Sequence, residues 1–131
     1  MKTRTASCSC GQLTAITTAE PIRVSVCHCL ACQRRTGSVF AAQARFPASS
    51  VAIAGASNTF VRVGDAGSKS TFYFCPRCAA TVYYTSEGRE DSIVIPVGAF
   101  ADSAFPAPTF SVYEERMHTW VEMPADMEHM A

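Results

Sequence analysis

The sequence has little charge and no excess of either sign. Only 17% of its 131 residues are charged, and 11 basic residues balance 11 acidic ones. Nucleic acids and anionic membrane surfaces attract proteins through clustered positive charge, so this balance predicts neither kind of partner. The low charge, together with 48% hydrophobic residues, also excludes a chain that is disordered throughout.

Long hydrophobic runs are missing as well. No stretch approaches the roughly 20 apolar residues that a membrane-spanning helix requires, and the first eleven residues lack the apolar region of a secretory signal. We therefore expect a cytoplasmic protein with no membrane partner. The length is typical of one domain, and we expect it to span residues 1–122, followed by a poorly ordered tail over 123–131 that is rich in Met and acidic residues.

Seven glycines and seven prolines interrupt the chain at short intervals, which favours short strands over long helices. Nine segments are predicted to be strands: Leu13–Thr17, Ile22–Cys27, Val39–Phe46, Val51–Ala54, Thr59–Val63, Thr71–Phe74, Thr81–Thr85, Ser92–Val97 and Thr109–Tyr113. One segment, Leu30–Thr36, is predicted to be a short helix that ends at Gly37. The sequence therefore predicts a mainly β domain.

The seven cysteines are the most informative feature, because they fall into three clusters rather than being scattered. An odd number of cysteines cannot pair completely as disulfides, and the cytoplasm disfavours disulfides in any case. The spacings C-x-C and C-x₂-C instead let sulfur atoms converge on one metal ion. The clusters are Cys8 and Cys10, then Cys27, Cys29 and Cys32, then Cys75 and Cys78.

Two of these clusters are cysteine pairs that together can form a closed metal site. Cys8 and Cys10 point the same way on an extended segment. Pro76 favours a tight turn that brings Cys75 and Cys78 together. Two such pairs would complete a tetrahedral structural zinc site, which would substitute for part of the core that a small domain cannot build.

The third cluster, Cys27, Cys29 and Cys32, supplies three thiolates and leaves a fourth position open, as in a catalytic zinc site. A division into four and three accounts for every cysteine, although spacing alone does not determine which pairs meet. Sulfur ligands favour zinc, and they also suit copper(I) or an iron–sulfur cluster. We predict two zinc ions per chain.

Three further residues lie beside the open cluster. His28 sits between two of its cysteines, and an extended backbone turns its ring away from them. We interpret it as a packing or supporting histidine, with a proton shuttle and a fourth ligand as alternatives. Arg34 and Arg35 would offset the net negative charge of zinc with three thiolates, and they could also bind a substrate carboxylate. The alternative for both arginines is a solvated helix face.

The order of the clusters resembles the glutathione-dependent formaldehyde-activating enzyme family, which shares its domain with centromere protein V. The resemblance rests on these segments: Ala6–Gly11, Cys27–Arg34, Gly37–Phe40, Phe74–Ala79, Val97–Asp102 and Tyr113–Trp120. It covers residues 6–122, and the C-H-C-x₂-C element with its flanking C-x-C-G and C-P-x-C is specific. One departure is Ser111, at a position where many members of the family carry His.

The resemblance implies a small zinc-bearing β-tent of coiled antiparallel sheets, with one helical turn after the C-H-C-x₂-C element. It implies a structural zinc at Cys8, Cys10, Cys75 and Cys78, and a second zinc at Cys27, Cys29 and Cys32. The implied activity is that of a carbon–sulfur lyase that combines glutathione with formaldehyde into S-hydroxymethylglutathione. Its partners would be a small-molecule thiol and an aldehyde, with Arg34 and Arg35 contacting glutathione carboxylates.

The chemistry of the residues agrees with that activity. Three thiolates make zinc a weak Lewis acid, so an open site of this kind suits capture of a further thiolate better than activation of water. A non-catalytic zinc-binding module for protein interaction is the alternative, since it would need only the four-cysteine site. A methionine sulfoxide reductase is disfavoured, because that reaction needs a reactive cysteine free of metal and there is no eighth cysteine.

Overall fold

The computed structural model describes residues 2–131. Strands account for 40% of the residues and helical turns for 13%, which confirms the prediction of a mainly β fold. Within the described residues the elements in chain order are β1 (Arg4–Ser7), β2 (Thr14–Thr17), β3 (Arg23–Cys27), α1 (Leu30–Thr36), β4 (Ala41–Pro47), β5 (Val51–Ala54), β6 (Asn58–Val63), β7 (Lys69–Phe74), β8 (Thr81–Ser86), β9 (Ser92–Pro96), β10 (Phe110–Val112) and β11 (Glu128–His129).

The predicted elements agree closely with this list. All nine predicted strands are present with ends shifted by at most two residues, and α1 has the predicted bounds. Its end at Gly37 is also confirmed, because that residue caps the helix with a left-handed φ of 70°. Two short strands were not predicted. β1 is mostly polar, and β11 has only two residues, so neither carries a recognisable alternation.

The strands form two sheets. β1, β2 and β5 make a three-stranded sheet, and the other eight strands form a sheet in the order β11-β10-β3-β4-β9-β8-β7-β6. Pairing is antiparallel except at one end, where β10 runs parallel to both β3 and β11. The expectation of antiparallel sheets is therefore wrong at this end. A long connection from β9 lets the chain enter β10 in the same direction as β3.

Apolar side chains from both sheets form the main core. Phe46, Leu13, Ile95 and Val82 are completely buried there. β3 is buried on both faces, whereas Ile22, just before it, is exposed. At the end of β3, Cys27 packs against Cys32 of α1.

The ends of three strands carry the three cysteine clusters. Cys8 follows β1 directly, Cys27 is the last residue of β3, and Cys75 follows β7 directly. α1 begins just after β3, so Cys29 and Cys32 return toward Cys27 within one helical turn. The strands therefore place each cysteine cluster on a paired, hydrogen-bonded support.

The C-terminal segment is attached to the large sheet. β11 pairs with β10, Met127 is buried, and the Nδ1 atom of His129 lies 2.6 Å from Glu114. The tail predicted over 123–131 therefore carries a strand in the structure, while the domain boundary at residue 122 stays a prediction. No helix within residues 2–131 is long and apolar enough to cross a membrane.

Two glycines with left-handed backbones differ in their surroundings. Gly55 has φ 103°, and a Cβ atom there would collide with the backbone oxygen of Gln12, whereas Gly88 has φ 84° and open space around it. We expect Gly88→Ala to lower the free energy of unfolding by about 1–2 kcal/mol, from backbone strain alone. Gly55→Ala should cost a further 1–3 kcal/mol or so, because the collision forces the backbone to shift. Urea unfolding of both variants measures the difference, and equal losses would contradict it.

Candidate metal centres

The sulfur atoms of Cys8, Cys10, Cys75 and Cys78 all lie within 4.8 Å of one another. The Sγ atoms of Cys8 and Cys10 are 3.7 Å apart, and those of Cys10 and Cys75 are 3.6 Å apart. A tetrahedral site with Zn–S bonds of about 2.3 Å places its sulfur atoms about 3.8 Å apart. The four-cysteine cluster therefore has the spacing that a tetrahedral metal ion requires.

Two tight turns bring these sulfur atoms together. In the first, the Gly11 N–H donates to the Cys8 oxygen at 3.1 Å, and Gly11 has the left-handed φ of 86° that glycine tolerates. In the second, the Ala79 N–H donates to the Cys75 oxygen at 2.8 Å. The turn predicted from Pro76 is therefore confirmed.

Hydrogen-bond donors surround the sulfur of Cys75. The side-chain amide of Gln12 lies 3.0 Å from it, and the Arg77 N–H lies 3.3 Å from it. Burial raises the pKa of Cys75, but N–H donors from Cys78, Gln12 and Arg77 outweigh it and lower that pKa to about 6. This environment favours the thiolate form, which is the form that binds metals.

The second cluster forms where β3 meets α1. The sulfur atoms of Cys27, Cys29 and Cys32 lie within 4.8 Å of one another. Cys29 caps the helix, because its sulfur accepts the Cys32 N–H at 3.3 Å. Cys27 and Cys32 are buried and Cys29 is partly exposed, so the cluster meets solvent through Cys29.

The three thiols of this cluster compete for negative charge. The hydrogen bond from Cys27 lowers the pKa of Cys32 to about 5 against the effect of burial, and the positive charges of Arg62 and Arg35 assist. The pKa of Cys27 is raised by the same contact and by burial. Three thiolates this close need a cation between them, and their sulfur atoms suit a thiophilic divalent ion such as zinc.

A cavity of about 380 Å³ opens beside the second cluster. All three of its cysteines line this cavity, together with Arg62, Tyr84, Tyr113 and Arg116. Tyr113 has a left-handed φ of 57°, a conformation that is strained for a non-glycine residue and is concentrated at functional sites. The three-cysteine cluster thus faces a space large enough for a small-molecule ligand.

His28 is directed away from this cavity, as its position between two cysteines of the cluster predicts. Its ring is completely buried against Phe40, and its Nε2 atom lies 3.0 Å from the Ser111 hydroxyl. Its backbone N–H donates to the Val112 oxygen at 3.1 Å. Burial lowers the pKa of His28, which keeps the ring neutral. His28 therefore connects the start of α1 to β10, and Ser111 occupies the space beside it.

Arg34 and Arg35 line a neighbouring cavity of about 520 Å³ rather than the cavity of the three cysteines. The guanidinium of Arg35 lies 4.8 Å from the Phe72 ring centre and 5.5 Å from that of Tyr84. Contact of Arg34 and Arg35 with glutathione carboxylates stays a prediction. The arginines that line the cysteine cavity are Arg62 and Arg116, which no local motif marks.

Comparison with known proteins identifies a family for this arrangement. Residues 3–121 match the family model described as glutathione-dependent formaldehyde-activating enzyme. No curated protein matches the chain. A crystal structure of a Rhodobacter sphaeroides protein is similar with a TM-score of 0.54 and 20% sequence identity, covering 72% of this chain and 85% of that chain. This similarity shows a shared fold.

Gln12 provides a test of how the four-cysteine cluster is supported. Besides Cys75, its side chain bonds the backbone of Ala56 twice, at 2.7 and 2.9 Å. We expect Gln12→Ala to lower the free energy of unfolding by about 1–3 kcal/mol, since it leaves these groups unpaired. Gln12→Glu should lower the free energy of unfolding further at neutral pH, because it places a negatively charged carboxylate beside the Cys75 sulfur. Denaturant unfolding checks both, and a wild-type midpoint for Gln12→Glu would contradict this view.

Proposed function

The chain belongs to the glutathione-dependent formaldehyde-activating enzyme family, and we propose on this premise that it is a zinc-dependent carbon–sulfur lyase. Its reaction joins glutathione and formaldehyde to give S-hydroxymethylglutathione. The observation that carries this proposal is the three-cysteine cluster, which lies on the wall of a cavity instead of being closed by a fourth protein sulfur. A site with three protein ligands and one free position is typical of catalytic zinc.

We assign the four-cysteine cluster to a structural zinc. Cys8, Cys10, Cys75 and Cys78 supply a complete tetrahedral set, so this site has no position for a substrate. It joins the turn after β1 to the turn after β7, and these turns are far apart in the sequence. The free energy of binding the ion is then part of the free energy of folding.

We assign the three-cysteine cluster to the catalytic zinc. When bound, zinc at this site supplies a soft Lewis-acid position that favours the thiolate form of an incoming thiol. The side chains around it hold the substrates. Arg116 lines the exposed part of the cavity and suits a glutathione carboxylate. Tyr84 is fixed by donating its hydroxyl hydrogen to Gln43 at 2.7 Å, so it forms a rigid wall.

The reaction itself needs little beyond positioning. An electron pair of the glutathione sulfur attacks the carbonyl carbon of formaldehyde, and the carbon–sulfur bond forms. The π electron pair of the carbonyl moves to oxygen, which ends with the proton that the thiol lost. Holding both reactants in one cavity supplies most of the acceleration, because a bimolecular encounter becomes a reaction between neighbours. No oxidant or reductant is consumed.

The metal assignment predicts two zinc ions per chain in purified protein. Cys29→Ser should leave one ion and a largely unchanged melting temperature, because the four-cysteine site and the core hold the domain independently. Cys75→Ser should aggregate or unfold the protein, because it removes a ligand of the structural zinc. Metal analysis by mass spectrometry and thermal melting measure these outcomes. One ion in the wild type, or a soluble and stable Cys75→Ser variant, would contradict the assignment.

The substrate assignment predicts that reduced glutathione binds through its sulfur. S-methylglutathione, which cannot form a thiolate, should bind at least about tenfold more weakly in calorimetry. The difference in affinity between the two ligands should become smaller as pH falls, because protons compete with the metal for the glutathione thiolate. Cys29→Ser should abolish the difference in affinity between the two ligands. It should also abolish the formation of S-hydroxymethylglutathione, which NMR measures. Equal binding of the two ligands, or none, would favour a non-catalytic zinc module instead.

The arginines can be separated in the same experiment. Arg116→Gln should weaken glutathione binding about tenfold or more, the effect of one charged contact. Arg34→Gln, a substitution at an arginine outside the cysteine cavity, should have little effect. If Arg34→Gln weakens glutathione binding and Arg116→Gln does not, the carboxylate contact belongs to Arg34 and Arg35, as the sequence predicts.

A further inference from the structure

A second cavity adjoins the cysteine cavity and has a different chemical character. Its volume is about 520 Å³, and its walls include Ala31, Phe60, Phe72 and Phe74. Arg62 and Ala31 line both cavities, so a ligand in the apolar cavity lies next to the three cysteines. We call the second space the phenylalanine cavity.

Three arginines, Arg34, Arg35 and Arg62, line this cavity, and two of them meet on one aromatic ring. The guanidinium carbons of Arg35 and Arg62 lie over the same ring, Phe72, at 4.8 and 5.1 Å from its centre. The Nε atom of Arg35 and one Nη atom of Arg62 are buried and have no hydrogen-bond acceptor within residues 2–131. None of the described residues that line the phenylalanine cavity is acidic.

This arrangement is unfavourable without a ligand. Two like charges over one ring repel each other. A buried N–H without an acceptor has lost its hydrogen bonds to water and gained none in the protein. Arg62 also lines the cysteine cavity, where the thiolates, Asp65 and Glu115 carry negative charge, but Arg34 and Arg35 line only the phenylalanine cavity. A carboxylate bound against the arginines that line the cavity would balance their positive charge.

The proposed substrates do not account for the aromatic walls. Formaldehyde has no apolar body, and glutathione is polar along its whole length with two carboxylates and an ammonium. A wall of three phenylalanines is suited to an aromatic or branched aliphatic group instead. The cavity therefore calls for a ligand that joins an apolar body to one anionic group.

We propose that the phenylalanine cavity binds a carboxylate with an aromatic or branched aliphatic body. The carboxylate pairs with Arg35 and Arg62, and the body packs on Phe60, Phe72 and Phe74. The extension of this proposal to substrates rests on the proposed function. In that case, the aldehydes that react with the thiol at the cysteine cluster include ones that also carry such a carboxylate and body. As a statement about binding it stands on the cavity alone.

Calorimetry on the zinc-loaded protein tests this with three small probes. Benzoate has both the charge and the body, benzamide has the body without the charge, and acetate has the charge without the body. Benzoate should bind at least about tenfold more tightly than either of the others, because each of them lacks one of the two contacts.

Two substitutions on the exposed strand β6 assign the contacts. Arg62→Gln should lower benzoate affinity about tenfold and leave benzamide unchanged. Phe60→Ala should bring benzoate close to acetate, and it spares the core because Phe60 is 61% exposed. The matched controls are Val61→Ala, on the other face of β6, and Arg23→Gln, which removes an arginine stacked at 4.2 Å on Phe110 outside the cavity.

The outcomes separate this inference from the proposed function. If benzoate binds no better than acetate while glutathione still binds at the cysteines, the inference is wrong and the proposed function stands. If Arg62→Gln lowers the zinc content but not the benzoate affinity, Arg62 serves only the cysteine cluster, and the inference is again wrong. If benzoate binds as expected while glutathione does not, the cavity is confirmed and the proposed function fails.

Discussion

The convergence of seven sulfur atoms at three strand ends is the constraint on which this structure depends. Within each group the negatively charged thiolates repel one another unless a cation lies between them. The contact between Cys10 and Cys75 joins residues 65 apart in the chain, and the Gln12 side chain reinforces it by bonding Cys75 and Ala56. In the proposed assignment, metal binding and folding are therefore coupled in the four-cysteine cluster, whose closed set of ligands leaves no position for a substrate.

In the proposed assignment, the second cluster has a different role from the first because its surroundings differ. β3 and α1 supply three sulfur atoms from one short segment, so no distant element has to arrive to complete the set. The fourth side faces a cavity rather than another cysteine. The proposed structural and catalytic sites thus differ in what the fold places at the fourth position beside three sulfur atoms. At the first site it is another cysteine, and at the second it is a cavity.

Arginine and aromatic side chains connect the cysteine cluster to its surroundings. Arg35 and Arg62 lower the pKa of Cys32 and also stack on Phe72. A guanidinium keeps its charge while it lies on an aromatic ring, so these side chains can bring positive charge to the edge of an apolar cavity. In our proposal, that combination lets one region offset the negative charge of the thiolates and still present positive charge to a ligand.

The sequence by itself determined most of the elements and the three cysteine clusters. Alternation predicts nine of the strands, Gly37 marks the end of α1, and the cysteine spacings mark each cluster, because each of these features is local. Which clusters meet is not local, and the tertiary structure brings Cys8 and Cys10 to Cys75 and Cys78. Only the tertiary structure decided that β10 runs parallel to β3, that Gln12 reaches Cys75, and that Arg62 and Arg116 reach the cysteine cavity. These contacts join segments far apart in the chain, and no local pattern encodes the packing that brings them together.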